Sequence, residues 1–481
     1  MELATRLGRV RGLDDGHVRT FLGLRYGEPP VGELRFMPPV AASGWQGTFD
    51  ATEFPNRAMQ DDSRRMFERT IAGEPSEDCL FLNIYTPDTS GKPRPVLFWM
   101  HGGAFVGGSA NEYDGSVLAA QGDVVVVTVN FRLGLLGFLG LSAFGSEYQG
   151  SESNGIRDVV LALQWVRDNI EDYGGDPDNV TISGESSGGT MVMSLLATPA
   201  ADDLYNKAIG HSATCVYRPS RDHSEQLAER IGVDRDDLLD RLLSMPAQHL
   251  ADLNLPVGVG VDGTVITRST MDAIQDRGHS GVPLLTGTNL REGALYTLGE
   301  DAEQEHYASF NKGLAQEGLL GKDPTNFMAA VTEAFPDASA GKMHEMMWNH
   351  MFRCICLHAA EAASEAGPGG WLYRFDLPAN LPDKNKLGAC HASELAFTFN
   401  IFEKPETYTL IFHDRNDPVV RRVAKDWSDT IIRFVRSGDP NGGDIPDWPH
   451  YGPKDRRCLI IDEEIRVESD PDEQLREFWK R

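Results

Sequence analysis

The chain has 481 residues, 41% hydrophobic and 24% charged, the balance of a globular protein with a real core and not of a disordered or fibrous one. Its 45 basic residues stand against 72 acidic ones, a formal charge of −27. Such a surface repels phosphate backbones and anionic bilayers, which argues against nucleic-acid and membrane partners and leaves either plain solvation or the steering of cationic substrates.

Read from its start, "MELATRLGRVRG" has no apolar core of the length a signal peptide needs. The first 90 residues read as short strands and turns, with "GEPPVGELRFMPP" (27–39) too rich in Pro and Gly for a helix. "PVLFWM" (95–100) is a buried-strand signal, followed at once by "HGGAFVGGS". "DVVVVTV" (123–129) is a second such strand. The longer apolar stretch 124–141 is broken by Asn130, Arg132 and glycines, which excludes a membrane-spanning helix. Residues 156–172 place Val159, Val160, Leu163, Val166 and Ile170 at helical spacing, and "YGGDPDN" ends them. "NVTIS" (179–183) predicts a strand, and "SGGTMVMSLLA" after Ser186 a helix.

Further strands are predicted at 206–212, 282–289 and 371–377, and a helix over 418–438 stopped by Gly438. The stretches 220–280 and 300–360 are mostly helical in pattern and read as insertions over the sheet. This alternation implies an α/β fold with a large, mostly parallel central sheet and helices on both faces. The length alone allows roughly three domains of about 150 residues. No repeat, low-complexity linker or clean boundary divides the chain, so a single domain over 1–481 is expected. The six cysteines, Cys79, Cys215, Cys354, Cys356, Cys390 and Cys458, are scattered, and Cys354-x-Cys356 lacks a second Cys/His pair at zinc spacing. Free buried thiols, no metal and a cytoplasmic address are expected.

The chemistry centres on "TISGESSGGT" (181–190), where Ser186 stands between Gly184 and Gly188 behind a predicted strand. Alone, the pattern also describes a serine in a glycine-rich loop. A serine hydroxyl is a poor nucleophile without an adjacent base, an acid to orient that base, and backbone donors for the developing oxyanion. The strand–loop unit "PVLFWM"–"HGGAF" offers the donors. Glu292, directly after the buried strand 282–289, sits at a carboxyl end where such sites collect. Seven histidines lie beyond residue 290, so order alone does not choose the base. His344, His350 and His358 fall in helical patterns, and His413 and His450 in polar, surface-like sequence. His391, in "LGACHASELAF", lies in a loop before an apolar helix start, where it can reach a sheet edge.

Together these stretches resemble the type-B carboxylesterase family, the cholinesterase-like branch of the α/β-hydrolases. The likeness is carried in order by "FLGLRYGEPPVGELRF" (21–36), "SEDCLFLNIYTP" (76–87), "WMHGGAFVGGS" (99–109), "VTVNFRLGLLGFLG" (127–140), "DPDNVTISGESSGG" (176–189), "GTNLREG" (287–293), "GACHASELAF" (388–397) and "GDPN" (438–441). The resemblance implies an α/β-hydrolase fold with Ser186 as nucleophile, Glu292 as triad acid and His391 as general base. It implies oxyanion donors at Gly103, Ala104 and Ser187, with Gly102 giving the donor loop its turn, and a buried, structural Glu185. It implies a small ester and water as partners, no cofactor, and a monomer or weak homo-oligomer.

Two features depart from the family pattern. Secreted members pair the cysteine matching Cys79 with one in the stretch that reads "FPNRAMQ" (54–60) here, where none stands. The segments that shape the substrate gorge in animal relatives are shorter, so substrate choice does not transfer. The reading that follows is a serine esterase for short- to medium-chain esters, tertiary-alcohol esters included. The alternatives are a catalytically silent cholinesterase-like binding module and a lipase of the same fold.

Overall fold

The uninterrupted apolar runs of the sequence become buried strands, and the amphipathic runs become helices. The computed structural model describes residues 1–64, 71–214, 220, 222–253, 255, 257–277, 281–297, 332–333, 336–404 and 412–480. These fall into two compact units, one built mainly from Met1–Ile209 and the other mainly from Arg277–Arg481 together with Gly210–Thr214.

In the first unit the principal strands are β1 (Arg19–Arg25), β2 (Phe81–Thr86), β3 (Arg94–Met100), β4 (Val125–Val129) and β5 (Gly175–Glu185). Their spatial order is β1-β2-β4-β3-β5. The pairs β4–β3 and β3–β5 are parallel, whereas β1–β2 and β2–β4 are antiparallel. All five residues of β4 are buried, as a Val-rich strand covered on both faces requires. Helix α1 (Asn154–Asn169) buries Val159, Val160, Leu163 and Val166, and Ile170 just beyond it is buried too, the stripe that the spacing predicts, with Ile156 added at its start. A 3₁₀ turn over Ile170–Tyr173 extends it, and Gly174 ends it in the left-handed region at φ 82°. Helix α2 (Ser187–Leu195) is buried throughout.

One buried ion pair ties α1 to the segment after β4. The Arg132 guanidinium donates to both Asp158 oxygens, at 2.8 and 2.6 Å, and its backbone N–H donates to the same carboxylate at 3.0 Å. Its remaining nitrogen donates to the Met37 carbonyl at 2.8 Å, so the fork is satisfied.

In the second unit β7 (Leu284–Asn289), β8 (Gly370–Phe375) and β9 (Arg457–Ile461) run parallel, and β10 (Arg466–Ser469) closes antiparallel on β9. The intervening strand in sequence, β6 (Lys207–His211), begins in the first unit, where Asn206 N–H donates to Val180 O at 2.8 Å. Residues Gly210–Thr214 lie in the second, where Ser212 N–H donates to Gly287 O at 2.8 Å. Helix α3 (Ala340–Ala366) occupies the described end of the stretch predicted helical over 300–360. Residues 298–331, which hold the rest of that prediction, lie outside the described residues. Among its described residues the 220–280 stretch holds four short α-helices and a 3₁₀ turn joined by irregular chain. Helix α4 (Pro418–Ser437) ends as predicted: Asp417 caps its start by accepting from Val419 N–H at 2.8 Å, and Gly438 ends it at φ 80°.

Cys215 also lies outside the described residues. The other five cysteines are buried and unbridged. Burial pushes the Cys79 thiol up, which leaves it a packing group.

The ion pair yields a stability prediction. Asp158→Ala strands the Arg132 charge in the interior and should cost about 3–5 kcal/mol in chemical denaturation. The double change Arg132→Met, Asp158→Leu should cost clearly less, because it removes both charges and keeps volume. Equal losses in the two proteins would contradict this account.

Candidate active site

In the first unit the serine motif forms a turn between β5 and α2. Glu185 ends the strand, Ser187 begins the helix, and Ser186 between them adopts φ 58°, ψ −122°. That backbone region is close to glycine-only and costs a side-chain-bearing residue about 1–3 kcal/mol. The flanking glycines make room for the strained turn. A Cβ on Gly184 would lie 2.5 Å from the Gly188 carbonyl, and one on Gly188 would lie 2.1 Å from the Met100 carbonyl oxygen. The helix start is therefore folded hard against the end of β3. Thr190 N–H holds it by donating to Ser186 O at 2.9 Å.

The loop after β3 lies alongside. A Cβ on Gly102 would sit 3.1 Å from the Ser186 Cβ and 2.7 Å from Glu185 Oε2. Gly102 is thus needed for close approach. The turn itself is made further on, where φ is positive at Gly103 (121°), Ala104 (55°) and Phe105 (62°). This corrects the expectation that Gly102 makes the turn: the loop must first pass the Glu185 carboxylate before it can reverse. Gly103 O accepts from Val106 N–H at 3.1 Å and Gly107 N–H at 3.0 Å, and Phe105 O accepts from Gly134 N–H at 2.7 Å. Glu185 is 3% exposed, buried as expected.

In the second unit an isolated parallel bridge joins Arg291 to Cys390, with Arg291 N–H donating to Ala389 O at 2.9 Å. The residues that follow on each side, Glu292 and His391, are thereby set face to face. His391 Nδ1 lies 2.5 Å from Glu292 Oε2. Glu292 is fully buried, and its other oxygen accepts from Ser212 Oγ–H at 2.6 Å and Asn289 N–H at 2.7 Å. Asn289 Nδ2 in turn donates to the buried Glu394 at 2.6 Å. With a proton on Nδ1 facing the carboxylate, the imidazole presents Nε2 as its basic nitrogen. The Phe352 ring from α3 stacks on the imidazole at 4.8 Å and 24°. Arg291 forks onto Glu345 of α3 at 2.8 and 2.9 Å, anchoring the segment that carries Glu292.

The five expected first-unit residues, Gly102, Gly103, Ala104, Ser186 and Ser187, are gathered there, and Glu292 and His391 are gathered in the second unit. The sequence reading missed Ser212, Asn289, Glu394 and Phe352. Polar residues at the end of a buried strand were a usable signal for Ser212 and Asn289, whereas nothing local marks Phe352. His344, His350 and His358 lie on α3 as predicted. His413 is not a surface residue: it is 1% exposed, packed edge-on to Phe375 and Phe397, and burial lowers its pKa to about 4. Among the described residues no group of three or more His, Cys, Asp or Glu is placed to hold a metal ion. Among them, too, no helix is long and apolar enough to cross a membrane.

Compared with known proteins, residues 1–479 match the profile of the carboxylesterase family. The para-nitrobenzyl esterase of Bacillus subtilis is 35% identical over 99% of this chain and 97% of its own length. Human cocaine esterase is 32% identical over 99% of this chain and 89% of its own. Among solved structures, a PNB esterase superposes with a TM-score of 0.87 at 32% identity, covering 99% of both chains. A Geobacillus stearothermophilus carboxylesterase superposes at 0.85 and 34%, again over 99% of both.

The close backbone approach under Ser186 is directly testable. Gly188→Ala must move either α2 or the end of β3 and should lose about 1–3 kcal/mol or more of stability. Gly452→Ala, with no atom within 4 Å of the added carbon, should unfold like the parent. Unaltered thermal unfolding of Gly188→Ala would show that the turn is not held as described.

Proposed function

Because the chain belongs to the carboxylesterase family, we propose that its ester is cleaved through an acyl-enzyme on Ser186, with His391 as general base and Glu292 as its partner acid. The chain is a serine carboxylesterase with the α/β-hydrolase fold. The residue roles are the proposal, as is the joint action of the two units as one catalytic domain. The observation that carries it is the backbone of Ser186, held at φ 58°, ψ −122° at the head of α2 and beside the loop of Gly102. Strain of that kind persists only where the surroundings over-determine it, and it lifts a side chain clear of the strand end.

The proposed steps follow from the groups present. As Ser186 Oγ attacks the ester carbon, His391 Nε2 takes the hydroxyl proton, and the carbonyl π pair moves onto oxygen. Amide N–H groups of Gly103, Ala104 and Ser187 receive that oxyanion; Ser187 heads α2, where backbone donors lack helical partners. The C–O bond then breaks, and the imidazolium gives its proton to the leaving alcohol. Water repeats the sequence on the acyl-enzyme, releasing the acid and restoring Ser186. Throughout, Glu292 holds the Nδ1 tautomer and balances the imidazolium charge. Its own position is fixed by Ser212 and Asn289, so the pair need not reorganise.

Short- to medium-chain esters are the proposed substrates, and para-nitrobenzyl esters are natural first probes given the name of the Bacillus relative. Five unbridged buried thiols support a reducing, cytoplasmic address, with the protein a monomer or weak oligomer. Tertiary-alcohol esters belong to the proposal because the loop carbonyls are already engaged. Gly102 O lies 2.8 Å from His101 Nδ1, and Gly103 O accepts two amides, so neither is free to crowd the alcohol.

Ser186→Ala and His391→Ala should each lower kcat on p-nitrophenyl acetate about 10⁴–10⁶-fold, with the double variant little worse. Glu292→Gln should lose about 10⁴-fold, since the imidazole remains but its tautomer is no longer imposed. One equivalent of an organophosphate should label Ser186 in the parent protein. Turnover surviving Ser186→Ala would end the proposal. Separately, tert-butyl acetate should be hydrolysed slowly but above the Ser186→Ala background. Primary acetates turned over with no tertiary rate above that background would remove the tertiary-ester claim alone.

A further inference from the structure

The segment "FPNRAMQ", set aside above for the cysteine it lacks, ends in a glutamine with an unexpected contact. Gln60 is 3% exposed, and its side chain meets the backbone of Gly108 in both directions. Its Nε2 donates to Gly108 O at 2.9 Å, while its Oε1 accepts from Gly108 N–H at 3.1 Å. The same Nε2 donates to Ala58 O at 3.0 Å, which fixes which end of the amide faces which group. The side chain therefore acts as a short extra strand, closing on Gly108 a ring of hydrogen bonds from 48 residues away.

Gly108 is the far end of the loop that carries Gly103 and Ala104. At Gly108, φ is 97°, and a Cβ there would lie 2.2 Å from Gly102 O and 2.6 Å from His101 Nδ1. The exit of the loop is thus pressed against its entrance. Gly103, Ala104 and Phe105 stand between them, all at positive φ. Three of the loop's other supports are local: Val106 and Gly107 onto Gly103 O, and His101 onto Gly102 O. Gly134 N–H holds Phe105 O from the segment after β4. Gln60 is the described side chain from outside the loop that grips its backbone at both a donor and an acceptor.

We propose that Gln60 is a positioning residue for oxyanion stabilisation, fixing the exit of the donor loop so that the Gly103 and Ala104 amides stay aimed at the developing charge. The inference rests on the proposed reading that Ser186 is the nucleophile and those amides are the donors. Donor–oxyanion geometry tolerates errors of only about 0.5 Å, so a loop released at one end loses transition-state binding before it loses substrate binding.

The test uses Gln60→Met, which keeps volume and removes all three hydrogen bonds, with Gln60→Ala as a second variant. Gln60→Met should lower kcat on p-nitrophenyl acetate about 10–100-fold with KM within about threefold. Binding of an alkyl trifluoromethyl ketone, whose Ser186 hemiketal carries the same oxyanion, should weaken in proportion to kcat/KM. Organophosphate titration should still count one reactive serine per chain, and thermal unfolding should stay within a few degrees of the parent. A kcat within twofold of the parent overturns the proposal. So does a kcat loss with unchanged ketone affinity, or a loss that recovers on cooling in step with refolding. Failure of the underlying reading shows elsewhere: the parent protein would bind the ketone without a covalent bond to Ser186, whatever Gln60 does.

Discussion

The first unit is organised around a backbone approach that leaves no room for a single extra carbon. Gly188 lies against the end of β3, Gly184 lies against Gly188, and Gly102 lies against Glu185 and Ser186. Each of these contacts follows from the requirement that a serine project from a strand end beside amides of a neighbouring loop. A parallel pair such as β3–β5 delivers both carboxyl ends to one edge, and the glycines let the two chains turn there without collision. The strain at Ser186 and at Ala104 and Phe105 is the cost of that closeness, and the buried core of the unit supplies what holds it.

The second unit solves a different problem, the burial of a carboxylate beside an imidazole. Glu292 is wholly removed from water, where an unsupported charge is very costly. Its oxygens meet His391, Ser212 and Asn289, so hydrogen bonds replace the lost solvent. The Arg291–Glu345 pair and the close packing of Gly293 on the Glu345 backbone then lock this segment to α3. Because α3 also carries Phe352, one helix braces both members of the pair.

What could be read from sequence was what is local. The Val-rich runs, the apolar stripe of α1 and the Gly438 stop of α4 each depend on neighbours within a turn or two, and each lies where the pattern put it. The serine turn was legible because its glycines sit two residues either side of Ser186. What escaped were contacts made across the chain. Nothing in "FPNRAMQ" marks Gln60 as gripping Gly108, and nothing in "HDRNDP" marks His413 as buried among phenylalanines. His413 was misread because polar neighbours in sequence say little about the side of the chain on which one residue turns inward. Gly102 was assigned the turn because glycine serves both turns and close approaches, and only geometry separates the two.

The bridge between Arg291 and Cys390 has a bearing on how the protein is made. Glu292 and His391 are 99 residues apart in sequence, so their hydrogen bond closes a long loop whose entropy must be lost before the contact returns anything. The serine turn, by contrast, is assembled from β3, β5 and the head of α2, segments that have all left the ribosome long before His391 is added. A growing chain therefore holds the strained serine well before it holds the imidazole. The serine turn is thus a product of early segments of the chain, and the buried acid–imidazole pair a product of late ones.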